Sequence, residues 1–177
     1  IPDGPGYMEK YYFRPGDTGF RVWDTRHGRI GAGICWDQWY PEAARAMTLM
    51  GAEALLYPTA IGSEPPNPGY DSSTHWQNVM RGHAAANIMP LMACNRVGKE
   101  TAPDGRSDVF YGRSFIADHQ GEKLQEMDRV EEGFRVQALD LAGVRELRRT
   151  WGVFRDRRPE MYGALLTLDG RSCSAAT

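Results

Sequence analysis

The stretch Gly31-Ala-Gly-Ile-Cys-Trp-Asp-Gln-Trp-Tyr-Pro-Glu42 runs from an apolar strand into a helix start, with Cys35 at the junction. A thiol at a strand-to-helix turn can be pushed out of the sheet plane. There the free N–H groups and positive dipole end of a helix favour a thiolate and can hold a developing oxyanion. An isolated cysteine in a strand is more often a small buried apolar residue, but the flanking residues argue otherwise. Gly31 and Gly33 thin the strand, as expected where another backbone or a ligand comes close. Trp36, Asp37, Gln38 and Trp39 form an aromatic and polar cluster where a plain core would be aliphatic. Pro41 suits a first helical turn, and 42–50 has helix-forming composition that stops at Gly51. Strand, exposed thiol and capped helix make a nucleophile elbow in the general sense.

Outward from this stretch the pattern alternates in an α/β manner. Segments 19–24 and 29–35 read as strands, 54–57 as a third ending in a Pro-containing turn, and 61–73 as a Gly-, Pro- and Ser-rich loop. A helix is predicted over 74–87, with Asp71 and Ser72 or Ser73 as caps, then a short apolar strand over 90–95 and a polar loop over 98–108. Strands are predicted over 113–117 and 133–139, a turn over 118–121 and a basic helix over 141–150.

Composition narrows the function classes. The chain has 177 residues, 41% of them hydrophobic, enough for one domain or a large share of one. A net charge of −2 gives no electrostatic case for nucleic acid or an anionic membrane, and no apolar stretch approaches the length of a membrane span. Cys35, Cys94 and Cys173 have no spacing that suggests a disulfide framework or a zinc site, which points to a reducing, cytoplasmic setting. His75 and His83 lie eight apart on the predicted helix, where metal ligands would prefer four, so structural hydrogen bonding is the reading for both, with His75 close to the pocket. No phosphate-loop or dinucleotide signature occurs, and no cofactor or metal is implied.

Several segments together carry a family resemblance. These are Glu9-Lys-Tyr-Tyr-Phe-Arg-Pro-Gly-Asp17, the Cys35 stretch, Tyr57-Pro-Thr-Ala-Ile-Gly-Ser-Glu64 and Asp71-Ser-Ser-Thr-His-Trp76. Arg81-Gly-His-Ala84, Asn95-Arg-Val-Gly-Lys-Glu100 and Trp151-Gly-Val-Phe-Arg-Asp-Arg-Arg-Pro159 continue the series. The whole resembles the carbon–nitrogen hydrolases of the nitrilase superfamily, nearest the branch that acts on N-carbamoylputrescine in polyamine biosynthesis. The resemblance implies an α-β-β-α four-layer sandwich, of which 1–177 would be the C-terminal part, a single domain incomplete at its N-terminus. Half of such a sandwich is expected to expose strand edges and apolar faces and to associate; the full-length form is expected to be a homo-oligomer.

The same resemblance implies a Glu–Lys–Cys triad with a second, assisting glutamate. Cys35 matches the nucleophile and Glu9 the assisting glutamate, while the general base and the lysine, the latter in a Lys-x-His stretch, fall before Ile1. The isolated chain is therefore expected to be inactive. The Trp36 N–H would share the oxyanion with the lysine, and Glu9 would fix the substrate nitrogen. Read by residue alone, Glu9 is a solvated surface neighbour of Lys10, and it is the family's Glu9-to-Cys35 spacing that implies the functional role. Glu64 resembles the residue that meets a distal ammonium. Carboxylates at Asp37, Glu64 and Asp71 beside aromatic faces favour a cationic carbamoyl amine, with Trp36, Asp37, Glu64 and His75 as binding residues. Asp37 could instead pair with an arginine, and Asp71 could merely cap the helix. Asn95-Arg96 reads as structural, bridging buried backbone. An amidase of a carbamoyl amino acid or dicarboxylate monoamide, or a non-catalytic structural fragment, are the alternatives.

Overall fold

The computed structural model describes residues 1–171 apart from 5, 65, 66 and 68, so Cys173 lies outside the described residues. A short helix, α1 (Glu9–Tyr12), precedes strands β1 (Val22–Thr25) and β2 (Gly28–Ala32). A 3-10 turn over Cys35–Trp39 leads to α2 (Pro41–Leu49) and β3 (Ala54–Thr59), and α3 (Ser73–Asn87) leads to β4 (Leu91–Asn95). Then come β5 (Val97–Thr101), β6 (Ser107–Tyr111), β7 (Phe115–Ala117), β8 (Lys123–Glu126) and α4 (Leu141–Trp151).

Six strands form one mixed sheet in the order β1-β2-β3-β4-β7-β8. The central pairs β2–β3 and β3–β4 are parallel, and the outer pairs antiparallel. The parallel steps are bridged by α2 and α3; two crossovers of one hand advancing in one direction put both helices on one face. Leu55 and Tyr57 of β3 alternate inward with Leu91 and Ala93 of β4 and pack under Met47 of α2 and Trp76 and Met80 of α3. The buried positions of α3 (73, 76, 77, 80, 83, 84 and 87) follow the three-and-four spacing of one helical face.

The opposite face is uncovered among the described residues. Leu56, Met92 and Ile116 are half-exposed there, Pro58 and Cys94 exposed, and together with Phe134 they border an apolar groove of about 450 Å³. One helix layer on one sheet is the α-β half of an α-β-β-α arrangement, and the open face is where the second sheet of a sandwich would pack.

Several expectations are corrected. The polar loop 98–108 is an antiparallel hairpin, β5 with β6. β5 is exposed along most of its length, and β6 buries only Phe110 and Tyr111 at its end, so no apolar alternation marks either strand. The apolar alternation over 133–139 makes no strand: Phe134 and Val136 are 80% and 79% exposed and no ladder pairs them. The strand predicted over 29–35 ends at Ala32, and that over 19–24 begins at Val22. Gly31 and Gly33 admit neighbouring side chains rather than a ligand. A Cβ on Gly33 would stand 2.7 Å from Tyr57 Cε1, and one on Gly31 2.9 Å from Leu55 Cδ2. Among the described residues no helix is long and apolar enough to cross a membrane.

Candidate active site

The carboxyl ends of the three parallel strands converge at one edge of the sheet, the edge where open α/β sheets hold ligands. Cys35 follows β2, the segment 60–64 follows β3, and Asn95 closes β4. The Gly33 N–H extends the ladder to the Leu56 carbonyl (3.0 Å), and the chain then turns abruptly. Cys35 has φ +47°, left-handed backbone that a side chain adopts at a cost of about 1–2 kcal/mol. The turn that follows is a 3-10 helix, not the start of an α-helix; α2 begins only at Pro41.

Three contacts hold that turn. The Asp37 carboxylate accepts from the Ile34 N–H at 2.9 Å, so Asp37 braces the elbow itself. The Trp76 indole N–H donates to Gln38 Oε1 at 2.7 Å, and His83 Nε2 meets the Gln38 carbonyl at 2.8 Å. Because a carbonyl only accepts, His83 carries its proton on Nε2. Burial pulls the His83 pKa below its ordinary 6.5, partly opposed by the hydrogen bond to Gln38 and by Glu42; the Tyr57 ring is its other close neighbour, at 6.4 Å. With the folded pKa depressed, this histidine's contribution to stability is complete above pH 6.5. It is lost as pH falls from there toward the folded pKa, because the unfolded chain takes up the proton first. His83→Gln is therefore expected to flatten the fall in melting temperature below pH 6.5, as read by thermal denaturation across pH.

A cavity of about 290 Å³ opens beside the thiol, lined by Cys35, Trp36, Gln38, Trp39, Glu64 and Tyr70 together with Asp3 and Tyr7. Its charged lining is two carboxylates, Asp3 and Glu64, with no lysine or arginine among the described lining residues. Lys10 Nζ stands 3.6 Å from Asp3 Oδ2. Of the residues singled out by sequence, the structure brings Cys35, Trp36 and Glu64 together in this cavity. His75 packs against Trp39 with the rings tilted at 53° and centroids 5.0 Å apart, and so borders it at one remove. Asp71 does not line the cavity: one oxygen accepts from the Ser73 N–H at 2.9 Å, the other from Arg129 at 2.6 Å. Hydrogen bonding from Ser73, reinforced by Arg129, holds its carboxyl below the usual range. Glu9 sits in α1, half-buried, and does not line the cavity; its Oε2 is buried with no partner among the described residues.

The segment bearing Glu64 is braced from three sides. Asn95 Oδ1 accepts from the Ile61 N–H, and Asn95 Nδ2 donates to the carbonyls of Ile61 and Gly112, all at 2.9 Å. This is the backbone bridging expected of that asparagine. Ser63 exchanges two hydrogen bonds with Val109 of β6, both 2.9 Å. Sequence reading missed Tyr7: its hydroxyl accepts from the Gly62 N–H at 3.0 Å and donates to the Ser63 carbonyl at 3.3 Å. Burial pushes the Tyr7 phenol up to about 12, which keeps the donor protonated. Nothing in the local pattern marks Tyr7, because its partners lie 55 and 56 residues away. A Cβ on Gly62 would fall 2.2 Å from the Val109 carbonyl oxygen and 2.7 Å from Phe110 Cα. Backbone cannot yield as a side-chain end can, so Gly62→Ala is expected to cost about 1–3 kcal/mol in urea denaturation and to displace Glu64.

Residues 1–149 match the carbon-nitrogen hydrolase family. The chain is 58% identical to an N-carbamoylputrescine amidase of Arabidopsis thaliana, over 96% of this chain and 58% of that protein. It is 57% identical to a citrullinase of Francisella tularensis, over 94% of this chain and 58% of that protein. The crystal structure of a carbon-nitrogen hydrolase from Helicobacter pylori G27 superposes with a TM-score of 0.85 at 44% identity, covering 95% of this chain and 59% of that one. A mutant amidase of Nesterenkonia sp. AN1 carries an acetamide moiety covalently added at its active site cysteine. That structure matches with a TM-score of 0.68 at 26% identity, over 89% of this chain and 51% of the amidase. The chain thus spans somewhat more than half the length of the relatives it matches.

Proposed function

Because the chain belongs to the carbon–nitrogen hydrolase family of the nitrilase superfamily, we propose that the protein hydrolyses N-carbamoylputrescine to putrescine, carbon dioxide and ammonia. The observation that carries this reading is the charge of the cavity. Two carboxylates and an aromatic wall of Trp36, Trp39 and Tyr70 suit an alkylammonium through ion pairing and cation–π contact. Cys35 Sγ attacks the carbamoyl carbon, the C=O electron pair moves onto oxygen, and the Trp36 N–H meets the oxyanion. Collapse expels ammonia or the amine and leaves an S-thiocarbamate on Cys35; water cleaves the C–S bond, and the carbamic acid released breaks down to carbon dioxide and the second nitrogen product. The base that takes the thiol proton and returns it to the leaving nitrogen is the upstream glutamate, assisted by the upstream lysine, that the family resemblance implies.

The second reading is citrulline, favoured by the similarity to the Francisella citrullinase. That substrate adds a carboxylate, which would face Asp3 and Glu64 without a lining cation. Ammonia release separates the readings. The 177-residue chain and a form extended upstream through the lysine and glutamate are assayed with N-carbamoylputrescine and with citrulline. Activity of the extended form alone, with N-carbamoylputrescine preferred, is the expected result. Preference for citrulline would overturn the substrate, and activity of the bare chain would overturn the requirement for the upstream groups.

A further inference from the structure

Asp3 and Glu64 reach the cavity from distant segments of the chain, and one side chain spans between those segments. Directly after Asp3, Gly4 and Tyr7 exchange two backbone hydrogen bonds. The Gly4 N–H donates to the Tyr7 carbonyl at 3.1 Å, and the Tyr7 N–H to the Gly4 carbonyl at 2.9 Å. That pairing fixes the root of the Tyr7 side chain. Its hydroxyl accepts from the Gly62 N–H and donates to the Ser63 carbonyl, one peptide link before Glu64.

The segment bearing Glu64 is engaged by β6 through other groups. The Ser63 N–H donates to the Val109 carbonyl, and Gly62 lies opposite Phe110. The Gly62 N–H and the Ser63 carbonyl take the Tyr7 hydroxyl as their partner instead. A hydroxyl that accepts and donates at once holds the segment in one register, because sliding it breaks one of the two bonds. Beyond the clasp, the Glu64 carbonyl accepts from the Asn67 N–H at 2.8 Å, so the backbone at Glu64 is fixed on both sides. Asp3 meets Lys10 only in a solvent-exposed pair, a weak contact that lets a ligand cation share the carboxylate.

We propose that Tyr7 is a positioning residue for cation recognition: its hydroxyl registers the Glu64 segment against the Asp3 turn, so that both carboxylates meet one substrate ammonium. The inference rests on the reading that the cavity takes a carbamoyl amine, and it gives Tyr7 no contact with the reacting atoms. Two carboxylates held in place before the ligand arrives need less ordering on binding than two that must be gathered. Without the clasp that ordering falls on the binding step, so KM rises while kcat, set at Cys35, holds.

The test is a double-mutant cycle in the upstream-extended protein, assayed by ammonia release. Tyr7→Phe keeps the ring and removes both hydrogen bonds. It is expected to raise KM for N-carbamoylputrescine about tenfold with kcat within about threefold, and to leave kcat/KM for N-carbamoylbutylamine, which has no ammonium, within about threefold. In a Glu64→Gln background the same substitution is expected to raise KM less than about threefold, since Tyr7 acts through Glu64. An equal rise in that background, an equal loss with N-carbamoylbutylamine, or no rise in the single variant would overturn the inference. If Glu64→Gln and Asp3→Asn each leave KM for N-carbamoylputrescine unchanged, the substrate reading fails and takes the inference with it. If Tyr7→Phe does not fold, amide hydrogen exchange in the Cys35→Ala protein decides. Saturating N-carbamoylputrescine is expected to slow exchange at Gly62, and N-carbamoylbutylamine to leave it unchanged. Equal protection by both ligands, or by neither, would overturn the inference.

Discussion

Cys35→Ala in the upstream-extended protein is expected to reduce ammonia release from N-carbamoylputrescine by at least about 10⁴-fold, since the covalent thiocarbamate on Cys35 can no longer form. The companion substitution carries more information. Cys35 sits at φ +47°, where alanine meets the same backbone cost as cysteine and glycine meets almost none. Cys35→Ala is therefore expected to leave the unfolding free energy nearly unchanged, while Cys35→Gly raises it by up to about 1 kcal/mol after the extra freedom of the unfolded glycine is counted. Both variants are inactive. Urea denaturation beside the ammonia assay checks the pair. A destabilised glycine variant would show that the elbow is not strained, and an active alanine variant would remove Cys35 from the chemistry.

Glu64→Lys has the second largest expected effect. A hydrogen-bonded charge pair contributes about 1.5–3 kcal/mol, so Glu64→Gln is expected to raise KM for N-carbamoylputrescine about ten- to a hundredfold. Lysine adds repulsion and is expected to exceed that. kcat is expected to change less than fivefold, because the ammonium is bound alike in ground and transition states. N-carbamoylbutylamine, which lacks the ammonium, provides the control and is expected to be indifferent to the change. An unchanged KM in Glu64→Lys would move ammonium recognition to Asp3, the other carboxylate of the cavity.

Both experiments start from residues visible in the sequence, whereas the surroundings that give them their properties were legible only in part. The helix over 74–87 was readable because its buried positions keep one period, and the structure places it at Ser73–Asn87. The hairpin β5–β6 was not, since β5 is solvated along most of its length, β6 buries only Phe110 and Tyr111 at its end, and neither carries an alternation to detect. The segment 133–139 fails in the opposite way. It alternates like a strand, but the sheet offers it no partner, and pairing rather than pattern makes a strand.

The site divides along the same line. The position of the nucleophile at a strand end, the proline-led helix after it and the capping Asp71 follow from residue types and short spacings, and a reader of the chain reaches them unaided. The tertiary structure alone decided that Asp37 turns back onto Ile34, that Asp3 and Glu64 face one cavity, that Tyr7 holds the segment bearing Glu64, and that Trp76 and His83 hold Gln38. Most of these depend on groups tens of residues apart. Local preference costs little chain entropy and leaves its mark in adjacent letters. A contact across forty or fifty residues exists only after the core has brought two elements together, so no short window of sequence contains it.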